Sequence, residues 1–352
     1  MKYLTVCVTG AGGGGFGEQI LKALRRSAQP YRLLATDMNR NSAGFCLADE
    51  TNVLPPASDA GYSKALLELC ERYEVRAVLP GSEPEITALS ANRQLFEEKG
   101  IFLPLGAPET LSVCADKATL FSRLQSMGFT VPWFREISSA SQLTNIPLFP
   151  LIFKPSALSG GSVDVFIVQD QEEADAIGLY LLKNRGRFLA QEYVGTPEQE
   201  YTVGLLFAMD GKLLSSVGLK RNLASALSRR SRVKNRTPNA ALGEWLTVSS
   251  GISQGTLAPY MDVCMPCVDM ARALQLTGPV NIQCRFVDGK VHLLEINLRF
   301  SGTTSIRAMG GVNEPDILLR RHLLGEVLPD MVTASDQLTV MRRLEEITVL
   351  SL

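Results

Sequence analysis

Histidine is scarce in this sequence. Its 352 residues include two, His292 and His322. His292 lies in the alternating stretch VHLLEIN and His322 in the helical stretch ILLRRHLLG, and both patterns favour structural positions. Chemistry that needs a histidine base or histidine metal ligands is therefore not expected.

Long apolar runs and an excess of one charge are also missing. The formal net charge is -1, which gives no general attraction to nucleic acid or anionic lipid. The longest apolar stretches fall far short of the about 20 residues that span a bilayer. The opening MKYLTVCVTGAGGGG has neither the basic nor the apolar region of a signal peptide. We expect a cytoplasmic protein without nucleic-acid or membrane partners.

The seven cysteines form an odd, scattered set, which argues against a disulfide framework and for reduced thiols. Cys264 and Cys267 make a CxxC pair, but no second pair or histidine is near them in the sequence. The flanking MDVCMPCVDMARAL has the pattern of an amphipathic helix. The sequence favours packing over zinc or redox chemistry for this pair.

A glycine-rich stretch, VTGAGGGGFGEQI, follows the first apolar segment. Gly12, Gly14 and Gly17 fit the GxGxxG pattern of dinucleotide-binding turns, and Asp37 follows at about the distance of a ribose-binding acid. This motif alone is a hypothesis, because the rest of the chain has to supply a matching substrate domain.

The pattern of predicted elements changes along the chain. Up to about Pro108, short apolar strands alternate with helices, which predicts a parallel doubly wound α/β sheet. Beyond it strands come in pairs, with hairpin turns at Asp210-Gly211 and Asp288-Gly289, which predicts an α+β body. The segment from Arg221 to Asn239 is basic and polar and is interpreted as a mobile loop.

The second hairpin carries a polar face on both strands. Alternation places the following side chains on shared faces: Asn281, Gln283 and Arg285 on one strand, and Glu295, Asn297 and Arg299 on the other. A solvated sheet face alternates in the same way, but usually with Lys, Thr and Glu. Carboxylate and amide oxygens suit Mg²⁺, and an arginine beside them suits a phosphoryl group.

The register of this hairpin decides whether a shared metal site can form. With a simple two-residue turn at Asp288 and Gly289, Glu295 would lie on the opposite face from Gln283. We therefore predict a three-residue connection or a bulge that places Gln283 across from Glu295, with about 5 Å between their Cβ atoms.

Two upstream segments are less specific. Lys154 ends a strand before a loop of small residues, which suits phosphate binding or an ordinary hairpin turn equally well. Glu192, Glu198 and Glu200 lie in an acidic stretch that is, taken alone, typical of a solvated loop.

Together, Asp116-Lys117, FKPSALSGGSV, QEYVGTPEQEYTVG, GPVNIQCRF and LLEINLRFSGTTS resemble the ATP-grasp superfamily, in its carbamoyl-phosphate synthase large-subunit-like branch. The resemblance covers nearly the whole chain. It implies a Rossmann-like preATP-grasp domain over 1–112 and the two lobes of an ATP-grasp domain over 113–188 and 189–352, the second with a C-terminal tail. The glycine run then becomes a structural turn or part of the substrate cleft, and a dinucleotide-dependent oxidoreductase is disfavoured.

The resemblance implies a role for each matching residue. Lys117 and Lys154 would contact nucleotide phosphates, with Lys154 also near the adenine. Glu200 would bind the ribose, Arg299 would stabilise the transferred phosphoryl group, and Arg221 would lie near the acyl substrate. The remaining implied residues are the phosphate loop with Ser159, Gly160, Gly161 and Ser162, the adenine-facing Gln191, Glu192, Tyr193 and Val194, and the metal ligands Gln283, Glu295 and Asn297.

The implied activity is that of an ATP-dependent ligase. ATP and Mg²⁺, with two ions expected and Mn²⁺ as an alternative, would activate a small-molecule carboxylate as an acylphosphate for attack by an amine or thiol. A kinase or phosphate-forming synthase on the same fold and a non-catalytic nucleotide-binding protein stay open as alternatives. The resemblance also allows a homodimer. Leu298, where many relatives have proline, departs from the pattern without removing a ligand.

Overall fold

The N-terminal domain is built around a parallel sheet. The computed structural model of the protein describes residues 3–12, 15–157 and 162–348. The four strands follow the order β3-β2-β1-β4, as the alternating pattern predicts. The elements are β1 (Leu4–Val8), α1 (Phe16–Leu24), β2 (Tyr31–Asp37), β3 (Glu50–Val53), α2 (Tyr62–Arg72), β4 (Val75–Leu79), α3 (Glu83–Ala91) and α4 (Arg93–Glu97).

Glycines in this domain allow close backbone contact. A Cβ on Gly17 would lie 2.2 Å from the carbonyl oxygen of Gly10, and one on Gly81 would lie 2.1 Å from that of Thr9. The start of α1 and the ends of β1 and β4 therefore meet where side chains would clash. Asp37 accepts a hydrogen bond from Gly12 N at 2.7 Å. The carboxylate that the dinucleotide hypothesis assigns to a ribose thus binds the glycine loop itself.

A linker of two helices leads to a small antiparallel sheet of order β5-β8-β6-β7. The elements are α5 (Pro108–Ala115), α6 (Lys117–Ser126), β5 (Phe134–Ile137), β6 (Leu151–Pro155), β7 (Phe166–Val168), α7 (Gln171–Arg185) and β8 (Phe188–Glu192). Pairing of β6 with β7 follows the predicted strand pair. Strand β8 pairs with β5 and β6 within this sheet and extends across the predicted boundary after residue 188.

The remaining chain forms a large sheet of order β15-β14-β9-β10-β13-β16 and a separate hairpin, β11-β12. The elements are β9 (Glu200–Phe207), β10 (Leu213–Arg221), β11 (Arg229–Lys234), β12 (Trp245–Ser249), β13 (Gly255–Ala258), α8 (Met261–Ala273), β14 (Gly278–Val287), β15 (Lys290–Asn297), α9 (Thr304–Met309), α10 (Glu314–Leu323) and β16 (Leu338–Val340). The interpretation of Arg221 to Asn239 as a mobile loop is wrong over β11, because Ser231 and Val233 face inward and pair with β12.

Both faces of the large sheet are covered. One face packs on α6 and α8, and the other packs on α1, α9 and α10, which joins it to the N-terminal domain. Cys264 and Cys267 are buried in the α8 core as free thiols, as the sequence predicts. His292 lies in β15, and the His322 ring on α10 stacks on Phe102 with 5.0 Å between centroids. Among the helices of the described residues, none has the length and apolar character to cross a membrane.

Candidate active site

A cavity of about 520 Å³ lies between the small sheet and the polar edge of the large sheet. It gathers residues from the N-terminal domain, the linker and both lobes. The predicted site residues that line it are Lys117, Lys154, Ser162, Gln191, Glu192, Tyr193, Val194, Glu200, Gln283, Glu295, Asn297 and Arg299. Ser159, Gly160 and Gly161 lie outside the described residues. Gly15 and Phe16, at the end of the glycine run, also line this cavity.

A β-bulge in the second hairpin brings Gln283 and Glu295 together. Val287 pairs with Lys290, so the turn is the two-residue Asp288-Gly289 type, and both of these residues have positive φ. Cys284 pairs with Leu293 but Gln283 pairs with Glu295, which leaves Leu294 as the extra residue. Directly opposite residues share a face, so the predicted bulge and register are confirmed.

The same bulge provides hydrogen-bond acceptors for the small lobe. Lys154 donates from Nζ to the carbonyl oxygen of Leu294 at 2.8 Å, and Gln191 donates from Nε2 to that of Leu293 at 3.1 Å. Both donors come from the small sheet. The carbonyls at the bulge are thus satisfied across the cavity, and the two lobes are joined there.

Glu295 carries the negative charge of the proposed metal face. Its burial would raise the pKa of its carboxyl, but nearby Lys117, Lys154 and Arg299, together with a hydrogen bond from Asn297, hold the pKa below its ordinary value. Asn297 donates from Nδ2 to Glu295 Oε1 at 3.0 Å. Glu295 is therefore ionised at neutral pH and oriented by its neighbour.

The same surroundings that favour the charged form of Glu295 disfavour the charged form of Lys154. Burial, and then repulsion from Lys117, lower the pKa of its ammonium to about 7, although Glu295 acts against this shift. Lys154 therefore exchanges its proton close to neutral pH. A phosphate in the cavity would favour the charged form.

Glu200 lies at the bottom of the cavity between two buried arginines. Arg221 Nη1 donates to Glu200 Oε1 at 3.1 Å, and Arg285 Nη2 donates to Glu200 Oε2 at 3.2 Å. Arg285 also donates to the carbonyl oxygens of Val194 and Thr247. No role for Arg285 was predicted from the sequence, although this residue shares a strand face with Gln283.

The predicted position of Arg221 beside the acyl substrate gains no support from the geometry. Arg221 is 3% exposed and does not line the cavity. Its guanidinium donates to Ser249 Oγ at 2.9 Å and to the carbonyl oxygen of Ser250 at 2.8 Å, in addition to Glu200. Arg221 therefore fixes Glu200 and the segment of Ser249 and Ser250 from the side that faces away from the cavity.

Arg299 is held by a residue that the sequence analysis did not single out. Glu83, at the start of α3, accepts from Arg299 Nε at 2.8 Å. The guanidinium also lies 4.6 Å from the centroid of the Phe16 ring. Both contacts come from the N-terminal domain, and no pattern within the sequence connects positions so far apart in the chain.

The adenine-facing segment predicted from the sequence follows β8 into the cavity. Glu192 accepts from Trp133 N at 3.1 Å through its side chain, and the Tyr193 hydroxyl accepts from Thr247 N at 2.9 Å. On the loop side, Ser162 donates from Oγ to the carbonyl oxygen of Ser249 at 2.8 Å.

Two family models match parts of the chain. One described as PylC-like, N-terminal domain, matches residues 8–103. One described as ATP-grasp in the biosynthetic pathway with Ter operon matches residues 248–346. No curated protein matches the chain in sequence.

Solved structures show the same fold. N5-carboxyaminoimidazole synthetase from Staphylococcus aureus, complexed with ADP, is 11% identical with a TM-score of 0.67 and covers 96% of this chain and 82% of its own. A second structure is the biotin carboxylase domain of 2-oxoglutarate carboxylase from Hydrogenobacter thermophilus, in complex with MgADP. It is 16% identical with a TM-score of 0.64, and the match covers 96% of this chain and 74% of the carboxylase chain. D-alanine–D-alanine ligase from Bacillus anthracis is 16% identical with a TM-score of 0.58, and the match covers 91% of this chain and 97% of the ligase chain.

The chain has the ATP-grasp fold, preceded by a domain similar to the N-terminal domain of PylC-like proteins. The predicted resemblance to the ATP-grasp superfamily and the predicted mixture of α/β and α+β architecture are confirmed at this level. Assignment to the carbamoyl-phosphate synthase-like branch stays a prediction.

Proposed function

We propose that the protein is an ATP-dependent ligase that activates a carboxylate as an acylphosphate and transfers the acyl group to an amine or a similar nucleophile. The observation that carries this proposal is the arrangement around Glu295. An ionised carboxylate and two amides share one face, and Lys117, Lys154 and Arg299 contribute positive charge beside the same cavity. Such a set of groups neutralises a phosphoryl group in transfer without a protein nucleophile.

The donor set fits magnesium. Mg²⁺ in nucleotide sites usually takes one or two protein carboxylates and fills its other positions with phosphate oxygens and water. Glu295 supplies the carboxylate, and Gln283 and Asn297 supply hard amide oxygens. Among the described residues, no cluster of three or more histidine, cysteine, aspartate or glutamate side chains offers a competing metal site. The bound metal would supply charge neutralisation to the phosphates.

The cavity also fits a nucleotide. Gln191 is buried, and its Oε1 has no hydrogen-bond partner in the described structure, although this residue lines the cavity. A buried acceptor without a partner is costly, and the exocyclic amino group of an adenine would satisfy it. Lys154, between Gln191 and Glu295, would reach both the base and the phosphates.

The reaction follows from these placements. In the proposed reaction, Lys117 and Lys154 would hold the β- and γ-phosphates, and Arg299 would contact the incoming carboxylate and the γ-phosphoryl group. A carboxylate oxygen bonds to phosphorus while the bond to the bridging oxygen breaks, which releases ADP. The amine then attacks the acyl carbon and phosphate leaves.

Hydroxylamine trapping tests this proposal. With MgATP, hydroxylamine and a panel of amino acids and simple carboxylic acids, we expect one class of acid to give a hydroxamate together with ADP. A kinase would give ADP and a phosphoester without hydroxamate. A non-catalytic nucleotide-binding protein would be stabilised against thermal unfolding by MgATP but would release no ADP with any acid.

A further inference from the structure

A second cavity, of about 690 Å³, lies along the outer edge of β15. Strand β15 is the last strand of the large sheet, and α3 and α5 form the other two walls. The cavity lining includes the apolar residues Ile86, Leu111, Cys114 and Leu298, of which Leu111 is partly exposed. Nothing in the proposed reaction has yet used this space.

One end of the second cavity is the proposed phosphoryl-transfer site. Lys117, Glu295, Asn297 and Arg299 line both cavities. The other end opens between α3 and α5, where Ala91 and Ser112 are exposed. A molecule in this cavity would therefore have one end among charged groups and the rest over an apolar floor.

Arg299 is equipped to bind the charged end. It donates through Nε to Glu83 and through Nη1 to the carbonyl oxygen of Phe300, whereas Nη2 donates to no described residue. A guanidinium N–H is a strong donor to a carboxylate. Arg299 can thus keep its contact with the N-terminal domain and still bind an anion.

We infer that the second cavity holds the body of the carboxylate substrate, and that this substrate is an apolar carboxylic acid with an alkyl or aryl chain. The carboxylate lies at Arg299, opposite the γ-phosphate in the first cavity, and the hydrocarbon chain lies on Ile86, Leu111 and Leu298. Ligand sites typically combine an apolar lining with a few polar groups at one end, frequently at domain boundaries. The role of the bound acid as acceptor rests on the proposed function, whereas its binding does not.

Titration calorimetry with octanoate and acetate tests the inference, both with MgADP and without nucleotide. Each buried methylene contributes about a fourfold gain in affinity, so octanoate should bind at least about 100-fold more tightly than acetate. Ser112→Trp should weaken octanoate binding about tenfold or more by filling the cavity. It should leave acetate and MgADP binding unchanged. Glu109→Trp is the matched control, because Glu109 is an exposed residue of the same helix that does not line the cavity.

Ala91→Trp, on the opposite wall, should reproduce the loss and guards against a folding defect in one variant. Octanoate binding no tighter than acetate binding would overturn the inference, and so would wild-type octanoate affinity in both Ser112→Trp and Ala91→Trp. Failure of the proposed function has a different signature. Octanoate would then bind to the wild type as expected and bind more weakly to Ser112→Trp. It would give neither hydroxamate nor ADP with MgATP and hydroxylamine.

Discussion

Glu200 and Glu295 line the same cavity on neighbouring parts of the large sheet, yet their surroundings differ. Glu200 is 1% exposed, and both of its oxygens accept from arginines that belong to the large lobe. Glu295 is partly exposed to the cavity, and the cations around it come from the linker, the small sheet and the strand end. Removing one member of a closed, buried ion-pair network leaves charges unpaired in the lobe, whereas charges gathered from several elements around an open space are available to a ligand.

Replacement of Glu200 should mainly lower the stability of the fold. Glu200→Gln leaves Arg221 and Arg285 buried with their charges unpaired, and we expect a loss of about 3 kcal/mol in the free energy of unfolding, measured by urea denaturation. Glu198→Gln, an exposed residue two positions away, should be neutral. Equal stability of the two variants would show that the buried network contributes little to the fold.

Replacement of Glu295 should mainly lower the rate of the proposed reaction. Glu295→Gln removes the charge that the phosphoryl group and its metal require, and we expect the rate of hydroxamate formation to fall about 100-fold or more. Its effect on unfolding should be well below that of Glu200→Gln, because Lys154 can release its proton when the carboxylate is lost. An undiminished rate would place the active site elsewhere.

A smaller effect should follow from Glu83→Gln, which removes the carboxylate that holds Arg299. We expect kcat to fall about tenfold with little change in the KM for ATP, since Arg299 then lacks a fixed position. In an Arg299→Ala background, Glu83→Gln should have no further effect. Glu50→Gln, which breaks the exposed ion pair with Arg32, is the control and should match the wild type.

The smallest expected effect is on pH dependence. Lys154 has a pKa of about 7 without ligand, and phosphate favours its charged form, so MgATP binding should take up a proton above neutral pH. Affinity should therefore fall as pH rises above about 7, by about fivefold at most between pH 7 and pH 8. Calorimetry in two buffers with different ionisation enthalpies measures the uptake, and Lys154→Met should abolish it.

The sequence predicted most of this fold because its local patterns agree with its tertiary structure. Alternation of strand and helix up to Pro108 gave the parallel sheet, and the Asp-Gly pairs gave both hairpin turns. A three-residue connection or a bulge was predicted from register, because only a shifted register lets Gln283 and Glu295 share a face. The structure has the bulge, with Leu294 as the extra residue, and not the three-residue connection.

Other features depend on contacts that no local pattern records. Strand β11 was interpreted as a loop because its arginines mask the short inward alternation of Ser231 and Val233. Two ion pairs, Glu83 with Arg299 and Arg285 with Glu200, join distant positions, and no sequence pattern indicates the first. For the second, the placement of Arg285 beside Gln283 on one strand face was a usable signal.

The bulge at Leu294 has a mechanical consequence. The carbonyl oxygens of Leu293 and Leu294 are fixed to β15, while Gln191 and Lys154, which bind them, travel with the small sheet. Any outward movement of the small lobe that separates these atoms must break both hydrogen bonds, of which the one from Gln191 is buried and the one from Lys154 partly buried, at a cost of a few kcal/mol unless water replaces them. A nucleotide that takes over Lys154 would release one of the two. The extra residue in β15 thus helps to hold the two lobes together across the cleft. A nucleotide that binds in the cleft would weaken this connection by taking over Lys154.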